Sequence, residues 1–141
     1  MDGIRRWPWI PSLIAGGVVF ALMLLLYSGR PLRGIALASA LNMATVAFFL
    51  VGGMFFAARL ATGRGTGAFV RPLVAGLVTF LGCLIVVLVT RQLTLPDESF
   101  GTSLTEDGFG RAIVVSPPAV VVGFIAEAFK RARLAARPSG R

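Results

Sequence analysis

The chain has no histidine, one cysteine, one tyrosine, one lysine and only six carboxylates in 141 residues. Each shortage removes a class of chemistry. Zinc, haem and non-haem iron sites lean on imidazole, and Cys83 alone does not replace it, so no metal or other cofactor is expected. Without a histidine base, none of Ser28, Ser39, Ser103, Ser116 and Ser139 completes a serine triad. A single cysteine forms no intramolecular disulfide. Cys83 lies inside an apolar run and reads as a small packed hydrophobe. Charge is missing altogether from Trp7–Gly29, Gly34–Ala58 and Pro72–Thr90. Proton-coupled transporters and intramembrane proteases usually hold ionisable groups at mid-bilayer. The expectation is a protein that is not an enzyme.

What is present is apolar. Hydrophobic residues make up 56% of the chain and charged residues 14%, where a soluble domain carries about one quarter. A hydrocarbon core about 30 Å thick needs roughly 20 apolar residues in helix. Three charge-free runs meet that length, and Ala112–Ala126 forms a shorter fourth. The expected fold is an all-α integral membrane protein with four transmembrane helices in a single membrane domain, residues 1–141. The spans are placed at about 10–27, 35–58, 72–90 and 112–130, with an outer loop at 92–110 and a basic tail at 130–141. Arg5-Arg6 before the first run imitates a signal peptide, but the run is too long and no small-residue cleavage site closes it, so a retained span is expected. Trp7 and Trp9 at its start and Tyr27 at its end suit the headgroup region as anchors. In the fourth span, Ser116-Pro117-Pro118 leaves only about 20 Å of helix before Lys130. The segment either inserts partway or crosses with a kink at Pro117-Pro118. A kinked crossing is expected, with neighbouring helices satisfying the freed backbone groups.

The net charge of +8 comes from 13 Arg and one Lys against six acids. Ten of the basic residues fall in the N-terminus, the 59–71 loop and the C-terminal tail; four fall in the other two loops. The positive-inside rule then puts both termini in the cytoplasm and the 92–110 loop outside. An Arg-, Ala-, Gly- and Val-rich composition points to a bacterial inner membrane. Lys130, Arg131 and Arg133 serve as further interface anchors, since anionic headgroups attract such segments. Orientation and lipid contact account for the basic excess without nucleic acid. Gly63-Arg64-Gly65-Thr66-Gly67 resembles a phosphate loop only superficially, because the strand, helix and Lys-Ser/Thr around such a loop are missing; a flexible connector is expected.

Three constellations remain. Ala36, Ala40 and Ala44 recur every four residues in span two, beside Asn42 and Ser39, and Gly53 and Ala57 continue the spacing. Small residues let helices approach closely, and Asn hydrogen-bonds across such a contact. The face serves either packing within one bundle or an oligomer contact. In the outer loop, Asp97-Glu98-Ser99-Phe100-Gly101 is echoed nine residues later by Glu106-Asp107-Gly108-Phe109-Gly110. Asp97, Glu98, Phe100, Glu106, Asp107 and Phe109 form either a docking element, with carboxylates gripping a cation or basic partner, or a solvated loop with two interfacial rings. Glu127 precedes Lys130 and Arg131 at the helix-surface pairing distances i+3 and i+4, so an interfacial salt bridge is expected there rather than a buried catalytic carboxylate.

These features favour a non-catalytic accessory or assembly subunit of a larger membrane complex. Its partners are the lipid bilayer and a protein of that complex. The alternative is a small homo-oligomeric transporter or channel. Asn42 separates the two: a wet cavity around it favours transport, a bond to a neighbouring helix favours a structural role. A lipid-binding role is a third reading and requires a polar pocket near Arg59, Arg64, Glu127 and Arg131.

Overall fold

In hydrocarbon a backbone without charge nearby has no hydrogen-bond partner but itself, and this chain folds into helix along every apolar run. The computed structural model describes residues 7–27, 35–62, 67, 69–97 and 99–136. Helix α1 spans Trp9–Leu26, α2 Ile35–Ala61 and α3 Val70–Thr94. A single turn, α4 (Phe100–Thr102), leads into a π-helical segment, Ser103–Gly108, and then into α5, Phe109–Ala135. The last three pieces are continuous and form a fourth rod from Phe100 to Ala135. All four rods are long and apolar enough to span a membrane. Leu13, Ile14, Val18 and Leu22 stand exposed along α1, an apolar surface that suits lipid rather than water. The chain is a multi-pass membrane protein.

The helices overrun the charge-free runs. α2, with 27 residues, is about 40 Å long, beyond one bilayer core. Arg59, Arg71, Arg91 and Arg111 all lie within helix, because a flanking charge ends the apolar run without ending the backbone hydrogen bonding. The expected 92–110 loop is the largest departure. α3 continues to Thr94 and helix resumes at Phe100. Ser99 caps the new helix, its Oγ accepting from the Thr102 N–H at 3.3 Å, a role for which Ser is well suited.

Side-chain contacts fix the arrangement. α2 is central and packs against α1, α3 and α5; α3 also packs against α5. α1 lies on the outer side of α2, its main neighbour among the described residues. The α2–α3 pair is antiparallel, with Asn42 meeting Thr90 at one end and Gly53 meeting Thr79 further along. α2 and α5 run parallel: Gly53 faces Ala119, and Ala61 meets Lys130. Two adjacent glycines let α2 serve three neighbours. A Cβ on Gly52 would collide with Ser12 Oγ and the Trp7 ring of the first rod. A Cβ on Gly53 would come within 2.6 Å of Thr79 Oγ1 and 3.2 Å of Ala119 Cβ.

The buried stripe of α5 is Ala112, Val115, Ala119 and Gly123, closed by Glu127, at the three- and four-residue spacing of one helix face. Towards the N-terminus the stripe continues through Gly108 to Ser103, both buried. That five-residue step is the π segment, whose wider turn keeps both residues on the inner face. α5 runs through Pro117 and Pro118 and is bent. Proline removes a hydrogen bond and crowds the carbonyl four residues earlier, which bends a helix without ending it when packing holds the two halves. Here the packing is with α3, where Val120 and Ser116 lie against Gly76.

Buried hydroxyls satisfy themselves locally. Ser12, Thr45 and Thr79 donate to the carbonyls of Pro8, Leu41 and Ala75, at 2.7, 2.8 and 2.7 Å. Each bond returns to the preceding turn and needs no water.

Candidate functional site

Polar chemistry collects at the two ends of the rods. At the end where α3 finishes and α5 begins, Asp107 sits on the π segment and is held from two sides. Arg91 of α3 approaches its Oδ2 at 2.6 Å. Arg111, one turn later on α5, donates through Nε at 3.1 Å and Nη2 at 2.8 Å to Oδ1. The three side chains keep 12–20% exposure. A carboxylate accepting charge-assisted bonds on both oxygens is spent within the fold. The two described acids of the sequence echo therefore differ in their surroundings. Asp97 is exposed, whereas Asp107 ties α3 to the fourth rod. Glu98 and the side chain of Glu106 lie outside the described residues. The two phenylalanines also differ. Phe100 starts its helix with 58% exposure, while Phe109 packs on Phe80 with ring centroids 5.9 Å apart.

One turn deeper, Asn42 is completely buried. Thr90 Oγ1 lies 3.1 Å from its Oδ1, across the α2–α3 contact, and shares its one proton between that oxygen and the Val86 and Val87 carbonyls of its own helix, each at 2.9 Å. Its Nδ2 is buried without a hydrogen bond among the described residues. Ala40 is buried and Ala36 and Ala44 are partly buried; the Ala44 carbonyl faces Gly16 of α1. Gln92 Nε2 donates to buried Ser103 at 3.4 Å, a long bond from α3 to the π segment.

The opposite end is basic and aromatic. Glu127 closes the buried stripe of α5 with 7% side-chain exposure and accepts from Arg71 Nη1 at 3.1 Å. This corrects the expected pairing with Lys130 and Arg131. The i+3 and i+4 residues point elsewhere because Glu127 faces inward towards α3. Lys130 Nζ donates to the Ala61 carbonyl at 3.0 Å, capping the C-terminus of α2, where carbonyls lack partners and cations are favourable. Arg131 lies 5.8 Å over the Phe69 ring, within cation–π range. Phe69 in turn meets Phe124 edge-on at 6.0 Å. Arg133 is exposed.

Trp7, at the start of the first rod, packs inside the protein. It is 8% exposed and packs within the protein against Phe48, Phe49 and Phe56, with centroids 5.5–6.0 Å away. Its Nε1 is buried without a hydrogen bond among the described residues. The adjacent Gly52 makes the room for the ring, a complementarity between residues 45 positions apart. Trp9 is 48% exposed and Tyr27 is partly buried.

Among the described residues, grooves open on the surface at these three places. One of about 500 Å³ lies between the C-terminal ends of α2 and α5 and includes Lys130 and Arg133. A second of about 360 Å³, on the other side of α5, includes Phe69, Phe124, Glu127 and Arg131. It contains two of the residues required for a lipid pocket; Arg64 lies outside the described residues, as does all of the glycine-rich connector except Gly67. The third, about 500 Å³, is apolar and runs between α1, α2 and Val86 of α3. Asn42 lines none of them. No group of three or more His, Cys, Asp or Glu side chains suited to a metal occurs among the described residues. No family model, curated protein or solved structure matches the chain.

Proposed function

We propose that this protein is a non-catalytic accessory or assembly subunit of a larger membrane complex. The observation that carries this reading is the bond from Thr90 to Asn42. The one strongly polar side chain deep in the first three spans links two helices of its own bundle. The ion pairs at the two ends act in the same way: Asp107 joins α3 to the fourth rod, and Glu127 joins α5 to α3. Charged groups engaged in fastening helices to one another support a structural role.

The proposed setting is a bacterial inner membrane with both termini in the cytoplasm. Ten basic residues on the proposed inner segments against four on the outer ones support that orientation. The proposed partner contact is at the outer end, around exposed Asp97 and Phe100. A photo-crosslinking side chain at Phe100, activated in the native membrane, tests it. The expected result is an adduct to a different membrane protein. Adducts only to lipid or to a second copy would overturn the reading, the second in favour of a homo-oligomeric transporter or channel.

A further inference from the structure

We propose that the apolar groove between α1, α2 and α3 holds one acyl chain of a bilayer phospholipid. The inference rests on the four-span fold and is independent of the accessory-subunit reading. α1 touches the bundle chiefly through α2, so a cleft stays open between α1 and Val86 of α3, with α2 as its floor. Trp9, Gly17 and Phe20 face it from α1, at the spacing of one helix face. At one end Trp9 lies beside Phe48 of α2, ring centroids 6.1 Å apart. Gly16 faces Ala44, and the antiparallel course of the two helices sets Phe20 and Leu41 at the other end. From Trp9 to Phe20 the helix rises about 16 Å. Trp9 starts α1, and half of a hydrocarbon core about 30 Å thick is about 15 Å. The groove runs the depth of one leaflet.

Its dimensions select the occupant. A volume of about 500 Å³ over a length of about 16 Å gives a mean cross-section of about 30 Å². A helix about 10 Å across fills about 80 Å² and would ride on the rims. The surface the groove offers is a small part of the roughly 800 Å² per partner that a stable protein interface buries. It is also longer than any one protruding side chain. A linear hydrocarbon chain is both long and thin enough, and the bilayer supplies it at this depth. The lining suits it: no charged residue takes part, and the Thr45 hydroxyl turns back to the Leu41 carbonyl at 2.8 Å.

Gly17 is an independent observation. Glycine inside a helix is unfavourable relative to alanine. Packing accounts for Gly16, where a Cβ would stand 3.2 Å from the Ala44 carbonyl. Gly17 has no such neighbour, since a Cβ there meets nothing within 4 Å. What its missing side chain leaves open is the groove, and no other helix of the bundle enters that space.

The test uses the full chain in phosphatidylcholine vesicles containing phosphatidylcholine with a diazirine midway along one acyl chain. After photolysis, adducts are mapped by peptide mass spectrometry. Adducts are expected at Ala44 and Phe48 on the floor of the groove, beside those at exposed Leu22 of α1. Gly17→Leu fills the groove and should remove the floor adducts. Leu22 should keep its own, which shows that the variant is still folded and inserted. Gly110→Leu, at a helix glycine that also has nothing within 4 Å but lies outside the groove, should leave the whole map in place. Phosphatidylglycerol with the same labelled chain should give the same map, since no charge lines the groove. Absence of floor adducts from the wild-type chain would overturn the proposal and point to a protein covering the groove. Floor adducts that survive in Gly17→Leu would overturn it too. Their suppression by oleate at equal concentration would assign the site to a free fatty acid instead.

Discussion

Arg71 and Glu127 stand 56 residues apart in sequence and meet at 3.1 Å, joining the start of α3 to the last turns of α5. Their side chains retain 17% and 7% exposure. Removing one partner of a buried pair leaves the other charge uncompensated, at a cost of about 3–5 kcal/mol. Arg71 is partly exposed and keeps a further contact, so Glu127→Ala should cost at most about 3 kcal/mol. Unfolding of the micelle-solubilised protein measures this. Arg71→Gln and Glu127→Gln together should cost less than the sum of the singles, by more than about 0.5 kcal/mol. Additive single costs would show that the contact contributes nothing.

Asp107 should behave differently from Asp97, although both belong to the same sequence echo. Asp107→Asn leaves Arg91 and Arg111 facing each other across a weakened bridge. The expected loss is on the order of 1–3 kcal/mol, the worth of hydrogen bonds to a charged group. Asp97 is exposed, and Asp97→Asn should stay within about 0.5 kcal/mol. The two variants are compared by unfolding midpoint in the same micelles. Equal midpoints would remove Asp107 from the fold's internal ties.

Gly53 and Gly17 form a second contrast. A methyl at Gly53 has 2.6 Å to Thr79 Oγ1 and cannot be housed without moving α3. Gly53→Ala should destabilise by about 1–3 kcal/mol, the usual cost of overpacking. A methyl at Gly17 meets nothing within 4 Å, and Gly17→Ala should be neutral or stabilising by up to about 1 kcal/mol through helix propensity. Reversal of that order in a thermal melt would contradict the helix packing described above.

Asn42→Ala removes the bond from Thr90 and with it a buried amide nitrogen that has no partner among the described residues. Interhelical hydrogen bonds of this kind are worth about 1 kcal/mol, and the unpartnered nitrogen lowers the net loss further. The expected cost is below about 1 kcal/mol, with assembly into the proposed complex unaffected. Loss of solute flux through reconstituted liposomes on Asn42→Ala would instead establish a transport path.

The four rods were legible in the sequence because lipid acts on every residue of a span alike, and a charge-free run records that directly. The bend at Pro117-Pro118 was legible for the same local reason: the missing N–H is a property of the residue itself. The 92–110 segment was not. Its acids and its glycines at 101, 108 and 110 resemble a loop until Arg91 is brought to Asp107, which depends on how α3 lies against the fourth rod. The i,i+4 spacing of Asp107 and Arg111 was the available local signal. Glu127 shows the reverse case. Its neighbours at i+3 and i+4 offered a local pair, and a distant arginine won because Glu127 lies on the inward stripe with Ala119 and Gly123. The packing of Trp7 was not legible for a related reason: the space that receives its ring is made by Gly52 on another helix.

Intact-mass measurement tests the central claim most directly. The tagged protein is taken from its own membrane in mild detergent and its assembly is weighed by native mass spectrometry. The account predicts a complex holding this chain with a different membrane protein in fixed ratio. A complex made of this chain alone would contradict it.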